Sequence, residues 1–223
     1  MISEEAIEGF VSKYIKDKQV IGIGSGKMGE DFLKKIALKK ETDKLEISVV
    51  PSSASLALML SQLHIPLANL NEKELDLAIE FIDLVDYDYN FIKRDSMSFV
   101  RDKMISQSAE ELIVIAEKKN YVSKLYGILP FEVIPFGWKR SLIQLESLGA
   151  AKIRMKSEGN YFKTESGNYV IDVLVDSIPS PEDIEYQSKN IPGVIETGLF
   201  IGYADRIILH NDKIEVKSRI GKE

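Results

Sequence analysis

The chain has no cysteine, two histidines and one tryptophan in 223 residues. Without cysteine there are no disulfides, thiolate nucleophiles or cysteine-bound metals. His64 lies in a Leu-His-Ile run and His210 at a strand end, positions that suit structural roles better than a metal cluster. Acid and base chemistry therefore falls to carboxylates and lysines. No apolar run approaches the roughly 20 residues that a membrane span requires. The opening Met-Ile-Ser-Glu-Glu also lacks the basic and apolar regions of a signal peptide, so a cytoplasmic protein with no membrane partner is expected. Basic residues are the minority, 29 against 35 acidic, for a formal charge of −6. That balance argues against a nucleic-acid surface.

What is present is an ordinary globular composition, 44% hydrophobic and 29% charged, long enough for one large or two modest domains. Ser3, Glu5 and the apolar positions Ile7, Phe10, Val11, Tyr14 and Ile15 predict a capped amphipathic helix. Strands are predicted at 19–23, 45–50, 65–68, 77–82 and 111–117, with helices at about 30–39, from Ala54 through Leu63, and at about 97–108. Short apolar strands alternating with helices imply a doubly wound parallel sheet. From Pro130 the pattern changes to strand 131–136, helix 138–148, strand 151–156, strand 169–176, helix 181–189 and strand 194–201. That βαββαβ order is the ferredoxin-like split unit. The expected fold class is α/β, a Rossmann-like doubly wound sheet with a smaller ferredoxin-like α+β domain. The expected domains are 1–129 plus 202–223, and 130–201. A closing hairpin around Asn211-Asp212 is expected to return to the first sheet, and Trp138 to start a helix and pack between domains.

Two stretches carry candidate chemistry. Gly22-Ile-Gly24-Ser25-Gly26-Lys27-Met28-Gly29 joins a strand to a helix, where free N–H groups and the helix dipole converge on an anion. A Walker A loop is excluded by spacing and by Met28 at the magnesium-binding position. GxGxxG is matched, but the next strand ends in Pro51-Ser52-Ser53 without the acid that holds a ribose. A phosphate monoester on Ser25, Gly26 and Lys27, a dinucleotide, and a plain tight turn all remain open there. Ser52, Ser53 and Ser55 follow the neighbouring strand, where an N-cap role coexists with ligand contact. The second stretch runs from Glu80 to Lys103. Apolar flanks predict partial burial of Glu80 and Asp83, which raises a carboxylate toward the range of proton transfer. Asp86 reads as a solvated turn, and Lys93 and Asp102 stand at loop and helix positions able to face the acids.

These motifs, taken together, resemble the ribose-5-phosphate isomerase type A family from the glycine loop to the last strand. Gly22-Ile-Gly24-Ser25-Gly26 is similar to its GxGTG loop, and Val50-Pro-Ser52-Ser53-Ala-Ser55 to its serine-rich second loop. Pro130-Phe-Glu132-Val-Ile-Pro135 is similar to PVEVIP, Thr164-Glu-Ser-Gly167-Asn168-Tyr-Val-Ile-Asp172 to TDNGNxIxD, and Ile191-Pro192-Gly193-Val194-Ile-Glu196-Thr-Gly198-Leu199-Phe200 to IPGVVxxGLF. Three motifs depart from the family. DGADE becomes Glu80-Phe81-Ile82-Asp83-Leu84, KGGGGA becomes Lys93-Arg94-Asp95-Ser96-Met97-Ser98, and REK becomes Arg101-Asp102-Lys103. The lysine of DxSK falls on Lys119 after a one-residue gap.

The resemblance implies cofactor-free interconversion of ribose 5-phosphate and ribulose 5-phosphate in the pentose phosphate pathway, through a cis-enediolate, by a homodimer or homotetramer. By transfer, Asp102 removes the proton from carbon 2 and Lys93 stabilises the enediolate oxyanion. Asp83 assists ring opening and Glu80 shuttles a proton between the two oxygens. The phosphate falls to Gly24, Ser25, Gly26, Lys27, Ser52, Ser53 and Lys119. Asp102 is one methylene shorter than the family's glutamate, and misplacement by about 1 Å costs about a hundredfold in rate. Replaced glycines matter most where φ is positive. Altered site motifs in an intact framework fit an active isomerase, or a sugar-phosphate-binding relative with weak or absent turnover.

Overall fold

The structure is a computed structural model that describes residues 2–211 and 213–219. The first elements are α1 (Glu4–Tyr14), β1 (Val20–Ile23), α2 (Lys27–Asp43), β2 (Ser48–Pro51), α3 (Ala54–Gln62) and β3 (Leu75–Phe81). Then come β4 (Leu84–Asp86), β5 (Phe91–Ile92), α4 (Phe99–Gln107), β6 (Ala109–Glu117), β7 (Tyr121–Val122), β8 (Leu125–Val133) and α5 (Trp138–Leu145). The last are β9 (Ala150–Ile153), β10 (Met155–Ser157), β11 (Asn160–Tyr161), β12 (Tyr169–Ile178), α6 (Pro181–Lys189), β13 (Val194–Thr197), β14 (Leu199–Phe200), β15 (Arg206–His210) and β16 (Ile214–Ser218). The described residues fall into two compact units, one from Met1–Phe81, Met104–Lys119 and Ala204–Glu223, the other from Ile82–Lys103 and Asn120–Tyr203. Among the described residues no helix is long and apolar enough to cross a membrane.

The first unit is the doubly wound layer. Its sheet has the order β16-β15-β6-β3-β1-β2, parallel except for the β15–β16 hairpin. The inner strands read as near-continuous apolar runs, as burial on both faces demands. Ile21 and Ile23 join a core with Phe10, Phe32, Ile36 and Leu56 from α1, α2 and α3. On the other face Gly22 meets Ile105 of α4 so closely that a Cβ there would collide with it. The chain turns back between β1 and β3, so the switch in strand order falls there, the place where open α/β sheets bind ligands. The expected hairpin does return to this sheet, although Asp212 of its turn lies outside the described residues. The expected strand at 65–68 shrinks to a single bridge between Val49 and Leu67. Pro66 has no N–H to extend a ladder.

The second unit contains the ferredoxin-like sheet, ordered β13-β8-β12-β9 with antiparallel pairs throughout. Leu129, Phe131, Val133, Ile171 and Val173 form its core with Leu145 of α5. A smaller sheet, β14-β5-β4-β7, accompanies it. The run expected as one strand at 194–201 divides into β13, which pairs with β8, and β14, which pairs with β5, and Gly198 between them passes against Lys93 O and Pro130, too tightly for a Cβ. The strand expected at 151–156 likewise divides after Ile153 into two sheets. Trp138 does begin α5, but its aromatic contacts are edge-on with Tyr161 and Tyr169 of the same unit.

Candidate active site

In the first unit the ends of β2, β1 and β3 lie side by side at the switch point. The Gly24 N–H donates to Ile79 O at 2.9 Å. The fully buried Glu80 carboxylate lies against Gly24, so any Cβ at that position would strike it. Gly26 takes φ 107°, open to glycine, and caps α2, which starts at Lys27 instead of near Glu30. Its first turn therefore directs free N–H groups at the loop, with half-buried Ser25 beside them. The Lys27 ammonium is exposed and pairs with Asp31 at 3.1 Å, a hydrogen bond that raises its pKa. Ser52 is buried and its hydroxyl has no partner, while Ser53 caps α3 by accepting from Leu56 N–H. Lys119, after β6, is exposed and paired with Glu117.

In the second unit Lys93 and Asp102 meet. The Lys93 ammonium is 2.8 Å from Asp102 Oδ2, and both side chains are 1% exposed. Lys93 is fixed by its backbone, whose N–H donates to Gly198 O at 2.9 Å. Asp102 stands one turn into α4, its N–H donating to Ser98 O. Half-buried Asp83 accepts the Arg94 N–H at 2.6 Å through Oδ2, which anchors the start of the intervening loop. The Arg94 guanidinium then reaches Ile128 O and Tyr126 O, either side of Gly127. Among the described non-glycine residues positive φ occurs only at Lys18, Lys44, His64 and Tyr89. The loop from Arg94 to Ser98 thus follows a path open to any L-residue and needs none of the family's glycines.

From sequence, Lys93 and Asp102 were expected to face the acids Glu80 and Asp83; their pairing with each other was not foreseen, nor was what supports it. Ser96 donates its hydroxyl to Asp102 Oδ2 at 2.5 Å. The buried Glu132 carboxylate accepts from Phe99 N–H and Val100 N–H at the start of α4, and from Thr164 Oγ1 and Asn168 Nδ2. Glu132, Thr164 and Asn168 each stand in a motif that carries the family resemblance, which was the available signal. Asp86 is not solvated. It is 5% exposed and accepts from the N–H groups of Asp88 and Asn90 and from Asn90 Nδ2. Burial raises its pKa against those hydrogen bonds. Of the histidines, His64 is exposed with φ 53° and His210 is buried at the end of β15.

Residues 48–213 match the family model described as "Ribose 5-phosphate isomerase A (phosphoriboisomerase A)". The chain is 33% identical over 217 residues to ribose-5-phosphate isomerase A 1 of Oceanobacillus iheyensis, covering 96% of this chain and 97% of that one. It is 36% identical over 211 residues to ribose-5-phosphate isomerase A of Methanococcus aeolicus, covering 92% and 89%. A solved structure of a D-ribose-5-phosphate isomerase in complex with phospho-erythronic acid superposes with a TM-score of 0.89 at 30% identity, over 97% of each chain. Ribose 5-phosphate isomerase A from Methanocaldococcus jannaschii gives 0.88 at 26% identity, over 97% and 98%.

Proposed function

The chain belongs to the ribose 5-phosphate isomerase A family, and from that premise we propose how its own residues interconvert ribose 5-phosphate and ribulose 5-phosphate. The phosphate rests on Gly24, Ser25 and Gly26, the first-turn amides of α2, and Lys27, with Ser52 and Ser53 beside them. Lys119 exchanges its exposed partner Glu117 for the phosphate, a change that costs little because surface ion pairs are weak. Asp83, with Oδ2 occupied by Arg94 N–H, uses its other oxygen to assist ring opening. Asp102 then takes the proton from carbon 2, and Lys93 stabilises the oxyanion of the cis-enediolate. Glu80 moves a proton between the oxygens on carbons 1 and 2. A cytoplasmic homodimer or homotetramer belongs to the same proposal.

The observation that carries this reading is the buried pair of Lys93 and Asp102, which persists although the loop between them holds none of the family's glycines. A base and an oxyanion-stabilising cation excluded from water are what an enediolate route requires. Incubating the purified protein with ribose 5-phosphate and following ribulose 5-phosphate tests it. Saturable turnover is expected, and saturable binding without product would make the chain a sugar-phosphate-binding relative instead.

A further inference from the structure

A serine hydroxyl has one proton to donate and lone pairs to accept with. At Ser96 the accepting side is used, because Ser98 N–H donates to Ser96 Oγ at 2.9 Å. Its single proton is directed to Asp102 Oδ2 at 2.5 Å, in a site where Ser96 is 1% exposed and Asp102 fully buried. The same oxygen also accepts from the Lys93 ammonium at 2.8 Å. Asp102 Oδ1, by contrast, is buried with no hydrogen-bond partner. The two oxygens of one carboxylate are therefore chemically distinct.

We propose that Ser96 is the positioning residue of the base, locking Asp102 Oδ2 together with Lys93 so that Oδ1 is the oxygen that receives the substrate proton. This rests on the reading of Asp102 as the base. In the step, the bond between carbon 2 and hydrogen breaks and the proton goes to Oδ1. The electron pair forms the double bond between carbons 1 and 2, and the carbonyl pair moves onto the oxygen of carbon 1. Ser96 touches no reacting atom. It fixes the rotation of a short carboxylate, whose reach cannot be adjusted by an extra methylene.

The test is Ser96→Ala assayed with ribose 5-phosphate, with Asp102→Asn as the companion variant. A released carboxylate loses its aim while the phosphate contacts persist. The kcat of Ser96→Ala is therefore expected to fall by roughly ten- to a hundredfold, with KM unchanged within about a factor of two. Ser96→Cys keeps the shape with only a weak donor and is expected to fall in the same way, which covers the case in which the alanine variant fails to fold. Native kcat in either folded variant, with Asp102→Asn inactive, overturns the proposal for Ser96. A rise in KM equal to any fall in kcat overturns it as well. Native turnover by Asp102→Asn instead overturns the base assignment, whatever Ser96 does.

Discussion

Lys93 Nζ and Asp102 Oδ2 lie 2.8 Å apart with 1% of each side chain exposed. Removing one partner of a buried pair strands the other charge, at a cost of about 3–5 kcal/mol. Lys93→Met is one atom shorter, stays unbranched and removes the charge. Urea denaturation should show it destabilised by about that amount, and turnover should vanish if Lys93 is, as proposed, the cation of the oxyanion. A variant of native stability would show that water reaches the pair in solution.

Lengthening Asp102, the proposed base, is not a repair here. Ser96 Oγ and Lys93 Nζ already hold Asp102 Oδ2, and an added methylene drives the carboxylate into them. Overpacking of this kind costs about 1–3 kcal/mol. Asp102→Glu should lower kcat, and pairing it with Ser96→Gly should recover activity above that of the single variant. Steady-state kinetics on the three proteins decides. A gain from Asp102→Glu alone would show that reach limits this enzyme.

Glu132 holds the start of α4, and through it Asp102, and is assigned no proton transfer of its own. Its carboxylate accepts four hydrogen bonds from Phe99, Val100, Thr164 and Asn168, and each buried donor left unsatisfied costs about 1–3 kcal/mol. Glu132→Ala should therefore lose about 3 kcal/mol or more in denaturant melts. Thr164→Val, which removes one of the four donors and the acceptor of Asn168 N–H, should lose less. Equal losses would mean that Thr164 rather than the helix amides dominates the network.

The layers of this fold were legible because they rest on periodicity. Short apolar runs at β1, β2, β3 and β6 alternating with helices predicted a parallel sheet, and the switch to βαββαβ after Pro130 predicted the second one. Ends and breaks were less legible, since they depend on contacts between distant residues. Nothing local to 194–201 reveals that Gly198 must pass under Lys93 O, or that Pro66 empties a ladder. Within the candidate site, residue types singled out Lys93 and Asp102, while their pairing with each other is visible only in the structure. The role of Ser96 depends on its contact with Asp102, six residues on, and a serine among Arg94, Asp95, Met97 and Ser98 gives no sign of it. Asp86 misled because three acids spaced by three resemble a solvated turn, while its actual partners, the N–H groups of Asp88 and Asn90, are backbone atoms that sequence does not display.

Gly24 is required by what lies over it. A Cβ there would enter the space of the Glu80 carboxylate, so Gly24→Ala should cost about 1–3 kcal/mol through overpacking and also weaken substrate binding. The two effects separate in a double-mutant cycle. In a Glu80→Ala background the added methyl has room, and the stability penalty should largely disappear, because coupling of this kind is confined to residues in contact. Thermal melts of the four proteins read the cycle. Additive losses would place the strain elsewhere in the loop.

His210 sets a pH dependence of stability. It is 3% exposed, its Nε2 has no partner, and burial lowers its pKa below the ordinary 6.5, with Glu117 at the end of β6 pulling weakly the other way. The folded protein therefore binds the His210 proton less readily than the unfolded chain. Between the folded value and 6.5 the unfolded chain holds more protons, so stability rises with pH across that window and falls as the solution is acidified through it. The stabilisation is complete above 6.5 and lost once the pH drops below the folded value. Urea midpoints for the native protein should decline from pH 7.5 to 5.5, and His210→Gln, which cannot take up the proton, should decline less. Parallel curves for the two proteins would assign the acid sensitivity to other groups.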